Sequence, residues 1–132
     1  MTRSVYCVAV IGGLAMLMMC LKHPVQADDA GSCGGKGQRS CPLQAWMEQN
    51  MDAAVEKADA KALAAAFTRA ASLVPDPTWN NGDAGWARIA RAGATAAGSG
   101  DIAAAKKECK TCHKAWRDKY KAQFRLLPVP AK

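Results

Sequence analysis

No stretch of this sequence alternates apolar and polar residues over the length of a strand, which excludes a sheet-based core and leaves an all-α chain. Histidine is nearly missing: the chain has two, and only His113 lies beyond the first 27 residues. Methionine stops early, with none after Met51. Apart from one Cys-x-x-Cys-His string, no constellation of side chains suits general acid–base work, so nothing points to an enzyme with turnover of its own. No recognised nucleic-acid-binding motif is present. Bulky apolar side chains are also few: of the 105 residues after Ala27, 25 are alanine. Small side chains bury little area each, so the hydrophobic driving force is thin for a domain of this size. Something else apolar and bulky could fill the centre, although alanine-rich bundles also pack closely without a ligand.

What the sequence does have begins with a leader. A short basic start, "MTR", precedes the apolar run "SVYCVAVIGGLAMLMMCL", which stops at Lys22. "KHPVQA" then places Val25 and Ala27 at the small-residue positions of a signal-peptidase site, so residues 1–27 read as a secretory signal. An uncleaved membrane anchor is the competing reading, because the run approaches spanning length. Cleavage leaves 16 Lys and Arg against 11 acids, a net charge of about +5, which favours acidic partners or anionic surfaces. No membrane association is expected after cleavage. Export puts the four remaining cysteines, Cys33, Cys41, Cys109 and Cys112, where thiols oxidise.

Residues 28–41 read as a flexible, Gly-rich leader to a domain over 42–132. Four helices are predicted there. The first spans about 42–57, opened by Pro42, with Leu43, Trp46, Met47, Met51, Ala54 and Val55 at helical spacing. The second spans about 59–73 and is ended by the prolines of "VPDPTWNNGD". The third spans about 83–97, with Trp86, Ile89, Ala90, Gly93 and Ala97 on one stripe. The fourth spans about 102–125, capped by Asp101. It carries Ile102, Ala105, Cys109, Cys112, Trp116, Tyr120 and Phe124 along one side, with Lys106, Lys107, Lys110, Lys114, Arg117 and Lys121 mostly elsewhere. An antiparallel four-helix bundle follows.

The string "CKTCH" at 109–113 has the spacing of c-type haem attachment. On a helix, positions i, i+3 and i+4 share a face, so both thiols can reach the haem vinyl groups while the imidazole of His113 reaches the iron. Export agrees with this, since c-type haem is attached outside the cytoplasm in bacteria. With no methionine after His113, a sulfur ligand has to come from upstream, where Met47 and Met51 stand one turn apart on the first helix. Met47 is the first choice for the distal position and Met51 the second; the competing reading makes both core residues. Two other occupants of the cysteines compete with haem. One is zinc on Cys33, Cys41, Cys109 and Cys112, and the other is a simple redox or structural pair.

The segment "CKTCHKAWR", placed near the C-terminus of a helical bundle, resembles the cytochrome c′ family. In that family the motif histidine is followed by an aromatic residue at +3 and a basic one at +4, matched here by Trp116 and Arg117. The resemblance covers roughly residues 42–125. It implies that Trp116 and Arg117 line one covalently bound haem c and that the sixth position is filled from the first helix. That residue is a Met in low-spin, electron-transferring members and a non-ligating apolar residue in high-spin members that bind small gases. It also implies a possible homodimer. The chain departs from the family in the short interval between its methionines and Cys109. It also lacks the Arg one turn before the distal residue, positions 43 and 47 being Leu and Met.

Cys33 and Cys41 fall outside the family pattern and are expected to form a short-loop disulfide contributing about 2–3 kcal/mol. Trp46, Trp86, Trp116 and Phe67 read as haem-packing or core residues. Gly93, costly in mid-helix, reads as a point of close approach for the haem or for a neighbouring helix. The expected function is that of a periplasmic mono-haem electron carrier whose partners are redox proteins with acidic docking surfaces. The alternatives are a five-coordinate haem protein binding NO or CO over Ala90, Gly93 and Ala97, and a zinc-binding or structural bundle.

Overall fold

A computed structural model describes residues 32–131. The expected signal segment, 1–27, lies outside the described residues. Among those described there is no strand, and the fold is all-α with four helices. The first helix is continuous but not uniform: α1 (Pro42–Met47) passes through a π-helical stretch, Glu48–Asp52, into α2 (Ala53–Glu56). Then come α3 (Ala60–Ala71), a 3-10 turn over Pro77–Asn80, α4 (Trp86–Gly98) and α5 (Ile102–Gln123).

Local chemistry accounts for the breaks. Pro42 opens α1 at a position whose N–H has no helical partner. The two tight corners share one design. At the first, Ala58 N–H donates to Val55 O and Asp59 N–H to Ala54 O; at the second, Gly100 N–H donates to Ala97 O and Asp101 N–H to Ala96 O. Each closes the helix in a Schellman pattern. The aspartate of each corner then caps the next helix, Asp59 accepting from Ala62 N–H and Asp101 from Ala104 N–H. The corners differ in one residue. Gly100 takes the left-handed conformation (φ 85°) freely, whereas Ala58 (φ 50°) holds it against the clash of its Cβ. Between α3 and α4, Asp76 accepts from the backbone N–H and the hydroxyl of Thr78, and this cap starts the 3-10 turn that buries Trp79.

The broad interfaces are α3 on α4 and α4 on α5, while the first helix leans on α3 through its π-helical stretch. Small residues make these approaches close. A Cβ added at Gly93 of α4 would land on the Phe67 ring of α3, so of the two approaches expected at Gly93 it is the neighbouring helix that is found. The Trp86 indole N–H donates to Ala70 O at 2.8 Å and fixes α4 to the end of α3.

The core divides in two. One cluster gathers Met51, Ala54, Leu63, Ala66, Phe67, Ala70, Ala90, Ala97 and Ala105; the other gathers Leu43, Leu73, Trp79 and Trp86. Six of the nine buried members of the first cluster are alanines, so its packing relies on helix proximity more than on side-chain bulk. The leader is tied down rather than free over its described part. Cys33 and Cys41 are disulfide-bonded and buried, and Cys33 Sγ lies 3.9 Å from Arg125 O, against the chain that leaves α5. That tail folds back, held by Arg69 donating to Pro130 O at 2.6 Å.

Two substitutions test this packing with opposite signs. Ala58→Gly is expected to raise stability by about 0.5–1 kcal/mol by relieving the left-handed alanine. Gly93→Ala is expected to lower it by about 1–2 kcal/mol, the overpacking against Phe67 outweighing the gain in helix propensity. Urea unfolding followed by helical circular dichroism measures both.

Candidate functional site

The chemistry-bearing residues sit on α5, a helix whose apolar side is sparse. Only Ala105 is fully buried along it; Ile102, Cys109, Cys112, Trp116 and Tyr120 are half-buried. Cys109 packs against the first cluster and Cys112 against the second. The two thiols, one helical turn apart, therefore straddle the seam between the two parts of the core. On the first helix, Trp46 and Met47 are the half-buried residues that touch both clusters.

Both thiols are free. Burial raises the Cys109 thiol above the usual cysteine range, and the nearby Asp52 carboxylate pushes in the same direction. Burial pushes the Cys112 thiol up to about 11, assisted by the charges of Cys109 and Glu108. His113 stands at the solvent edge of α5. Partial enclosure, then the Arg117 guanidinium, hold it below the usual histidine range; Asp52 opposes this and Lys121 reinforces it. The neutral imidazole, the form that ligates metals, is thereby favoured.

The first helix brings its two methionines to different places. Met51 is buried at 5% exposure among Leu63, Phe67 and Ala105, whereas Met47 stays half-buried at the seam. The π-helical stretch between them explains the separation. With i→i+5 bonding, the residue stacked above Met47 is Asp52 rather than Met51, so the methionines leave a common line. Asp52 is in turn carried toward α5, where its charge acts on both Cys109 and His113. Periodicity alone carries no signal for this register shift.

Trp116 lies one turn beyond Cys112 and stacks on Trp79, with ring centroids 4.8 Å apart at 15°. Its indole N–H donates to Ala84 O at 2.8 Å, and Lys119 stands over both rings. Arg117 is exposed on the His113 side of the helix. Trp79, absent from the residues expected to pack the centre, is its aromatic hub: Trp86, Trp116 and Phe124 all lie within 6.3 Å of it, centroid to centroid. The signal for it was the string Asp76-Pro77-Thr78-Trp79, a capped turn in the middle of what reads as a polar loop.

The structure alters two of the alternatives. Ala90, Gly93 and Ala97 are buried, and the Phe67 ring rests on Gly93, so that stripe forms a helix contact instead of a gas pocket. Two clefts lie at the far end of α5, between Ala122 and Leu127 and under the tail against Leu43 and Leu73; neither touches Cys109, Cys112 or His113. The disulfide removes Cys33 and Cys41 from any four-cysteine zinc site. Among the described residues, no group of three or more His, Cys, Asp or Glu side chains is gathered around a point that could hold a metal ion.

The donor set present suits a haem: two free thiols at i and i+3 pack against the two apolar clusters, an imidazole follows at i+4, and the Met47 thioether on the first helix packs against both clusters. In protein prepared without haem, Cys112 is expected to react with iodoacetamide at pH 8 roughly a hundredfold more slowly than an unperturbed thiol. The rate should rise about tenfold per pH unit toward pH 11. Mass spectrometry of timed, quenched samples reads the labelling; fast labelling of Cys112 at pH 8 would contradict its burial in the seam.

No family model, no curated protein and no solved structure matches this chain, so the reading of the site rests on its own geometry.

Proposed function

We propose that this chain is a periplasmic c-type cytochrome that carries single electrons, an antiparallel four-helix bundle with one haem c bound through Cys109 and Cys112. His113 is its proximal axial ligand and a first-helix methionine its distal one, Met47 in first place and Met51 in second. The observation that carries this reading is the pair of free thiols straddling the seam between the two core clusters, with His113 next along the helix. The other two cysteines after Ala27 are already spent on each other.

When bound, the haem supplies one-electron chemistry; the protein supplies ligands, burial and surface charge. Cys109 and Cys112 would tether the group from α5, beside the stacked Trp116 and Trp79. Trp46 and the half-buried Met47, which pack against both clusters, would meet it from the first helix. Partial burial, with Arg117 and Lys121, holds His113 below the usual histidine range. Met51 is held by core contacts. A methionine in the distal position raises the reduction potential, which suits exchange with other redox proteins. The partners are redox proteins with acidic surfaces. The chain is not itself an enzyme, and a homodimer is compatible with the bundle.

The test is a set of absorption spectra of protein matured in the periplasm, for the wild type, Met47→Ala and Met51→Ala. The wild type is expected to be low-spin with a far-red sulfur-to-iron band. Met47→Ala is expected to lose that band and to bind CO when reduced, whereas Met51→Ala keeps the band and loses about 2–4 kcal/mol of stability. A band that survives both substitutions would overturn methionine ligation. A high-spin wild type that takes up CO would put a gas-binding, five-coordinate iron in its place.

A further inference from the structure

We infer that the outward face of α5 beside His113 is the docking surface for an acidic protein; this deepens the haem reading and rests on it. The charge of the chain is strongly divided. Residues 106–132 carry nine Lys and Arg against two Asp and Glu, whereas residues 28–105 carry seven against nine. All of the net positive charge after Ala27 is therefore concentrated on α5 and the tail behind it.

On α5 the cations are segregated. At about 100° per residue, Lys106, Lys107, Lys110, Lys114, Arg117 and Lys121 fall within about 100° of arc, beginning about 20° from His113 on the side away from Cys112. All six are exposed, and the stripe runs about 22 Å along the helix. Glu108 lies across the helix and Asp118 at the edge of the stripe. Neither forms an ion pair, the single salt bridge among the described residues being Arg88–Asp83.

Such a face is unfavourable for the isolated helix. Lys106, Lys110 and Lys114 repel at i, i+4, as do Arg117 and Lys121. The repulsion is relieved when an anionic surface covers the stripe. The absence of apolar anchors decides which surface. The exposed large apolar side chains, Leu126 and Leu127, lie beyond the helix end, and no aromatic side chain is exposed within the stripe. A lipid surface would be met by an amphipathic face with apolar residues to insert, and a nucleic-acid strand by exposed aromatics for stacking. A bare cationic stripe with neither matches an acidic protein, held by steering and released quickly. That is the kind of contact an electron carrier needs, and it places the partner over the edge where His113 is exposed.

The experiment uses the matured, reduced protein. Its second-order oxidation by hexacyanoferrate(III), an anion, and by tris(phenanthroline)cobalt(III), a cation, is followed from about 10 mM to about 200 mM salt. In each reaction one electron leaves the protein and reduces the complex. The hexacyanoferrate rate is expected to fall with salt and the cobalt rate to rise. Lys110→Glu/Lys114→Glu is expected to slow hexacyanoferrate about tenfold at low salt, whereas Lys61→Glu on α3 changes it less than about twofold. Poly-L-glutamate should inhibit the hexacyanoferrate reaction of the wild type and spare the double variant, while phosphatidylcholine–phosphatidylglycerol vesicles should do neither. Salt-independent rates, or equal effects of the α3 and α5 variants, would overturn the inference while leaving a coloured cytochrome. Strong inhibition by the vesicles would replace the acidic protein with a membrane. A colourless protein that exchanges no electrons overturns the haem reading and this inference with it.

Discussion

The fold depends on how its two apolar clusters meet between α5 and the first helix. The alanine-rich cluster gains stability through close helix approach, with Phe67 pressed on Gly93 and Ala105 fully enclosed. The aromatic cluster gains it through ring area, centred on Trp79. Between them, α5 offers two small thiols and the first helix offers Trp46 and Met47, all half-buried. The two cysteines of the Cys-x-x-Cys-His string divide between the clusters, Cys109 packing against the first and Cys112 against the second. A covalently tethered apolar group there would join the two clusters and supply the buried area that a quarter-alanine domain lacks.

The two sides of α5 divide the work between stability and encounter. Its inner side holds Cys109 and Cys112 against the clusters, and burial raises both thiols above the usual cysteine range. Its outer side holds six cations and contributes nothing to the core. His113 stands where the two sides meet, and partial burial, with Arg117 and Lys121 of the stripe, holds it below the usual histidine range. The disulfide and the folded-back tail secure the end of α5 beyond Phe124, through Cys33 near Arg125 and through Arg69 bonded to Pro130. The long helix is thereby fastened at the end remote from its cap.

Much of the helical framework was legible in the sequence because its signals are local. Pro42, Asp59, Asp101 and the prolines around 75–77 mark helix ends with side chains that do the marking themselves, and the predicted helices fall within a few residues of α1–α2, α3, α4 and α5. Two features were not legible. The π-helical stretch at Glu48–Asp52 answers to the packing of the first helix on α3, and no residue in "EQNMD" announces it. Its consequence, that Met47 and Met51 serve different surroundings, was hidden with it. Trp79 was hidden because the loop around it is polar; only the fold brings the ends of α4 and α5 over that turn. In the candidate site, the helical spacing of Cys109, Cys112 and His113 could be read directly, while the seam they open onto depends on contacts between distant segments.

The central claim is that the free thiols of Cys109 and Cys112 are the attachment points of one haem. The measurement that tests it most directly is the intact mass, with the pyridine haemochrome spectrum, of protein exported in cells equipped for haem attachment. The account predicts a mass increased by one haem and a spectrum typical of two thioether links, both lost in Cys109→Ala/Cys112→Ala. An unmodified mass with both thiols still titratable would contradict it.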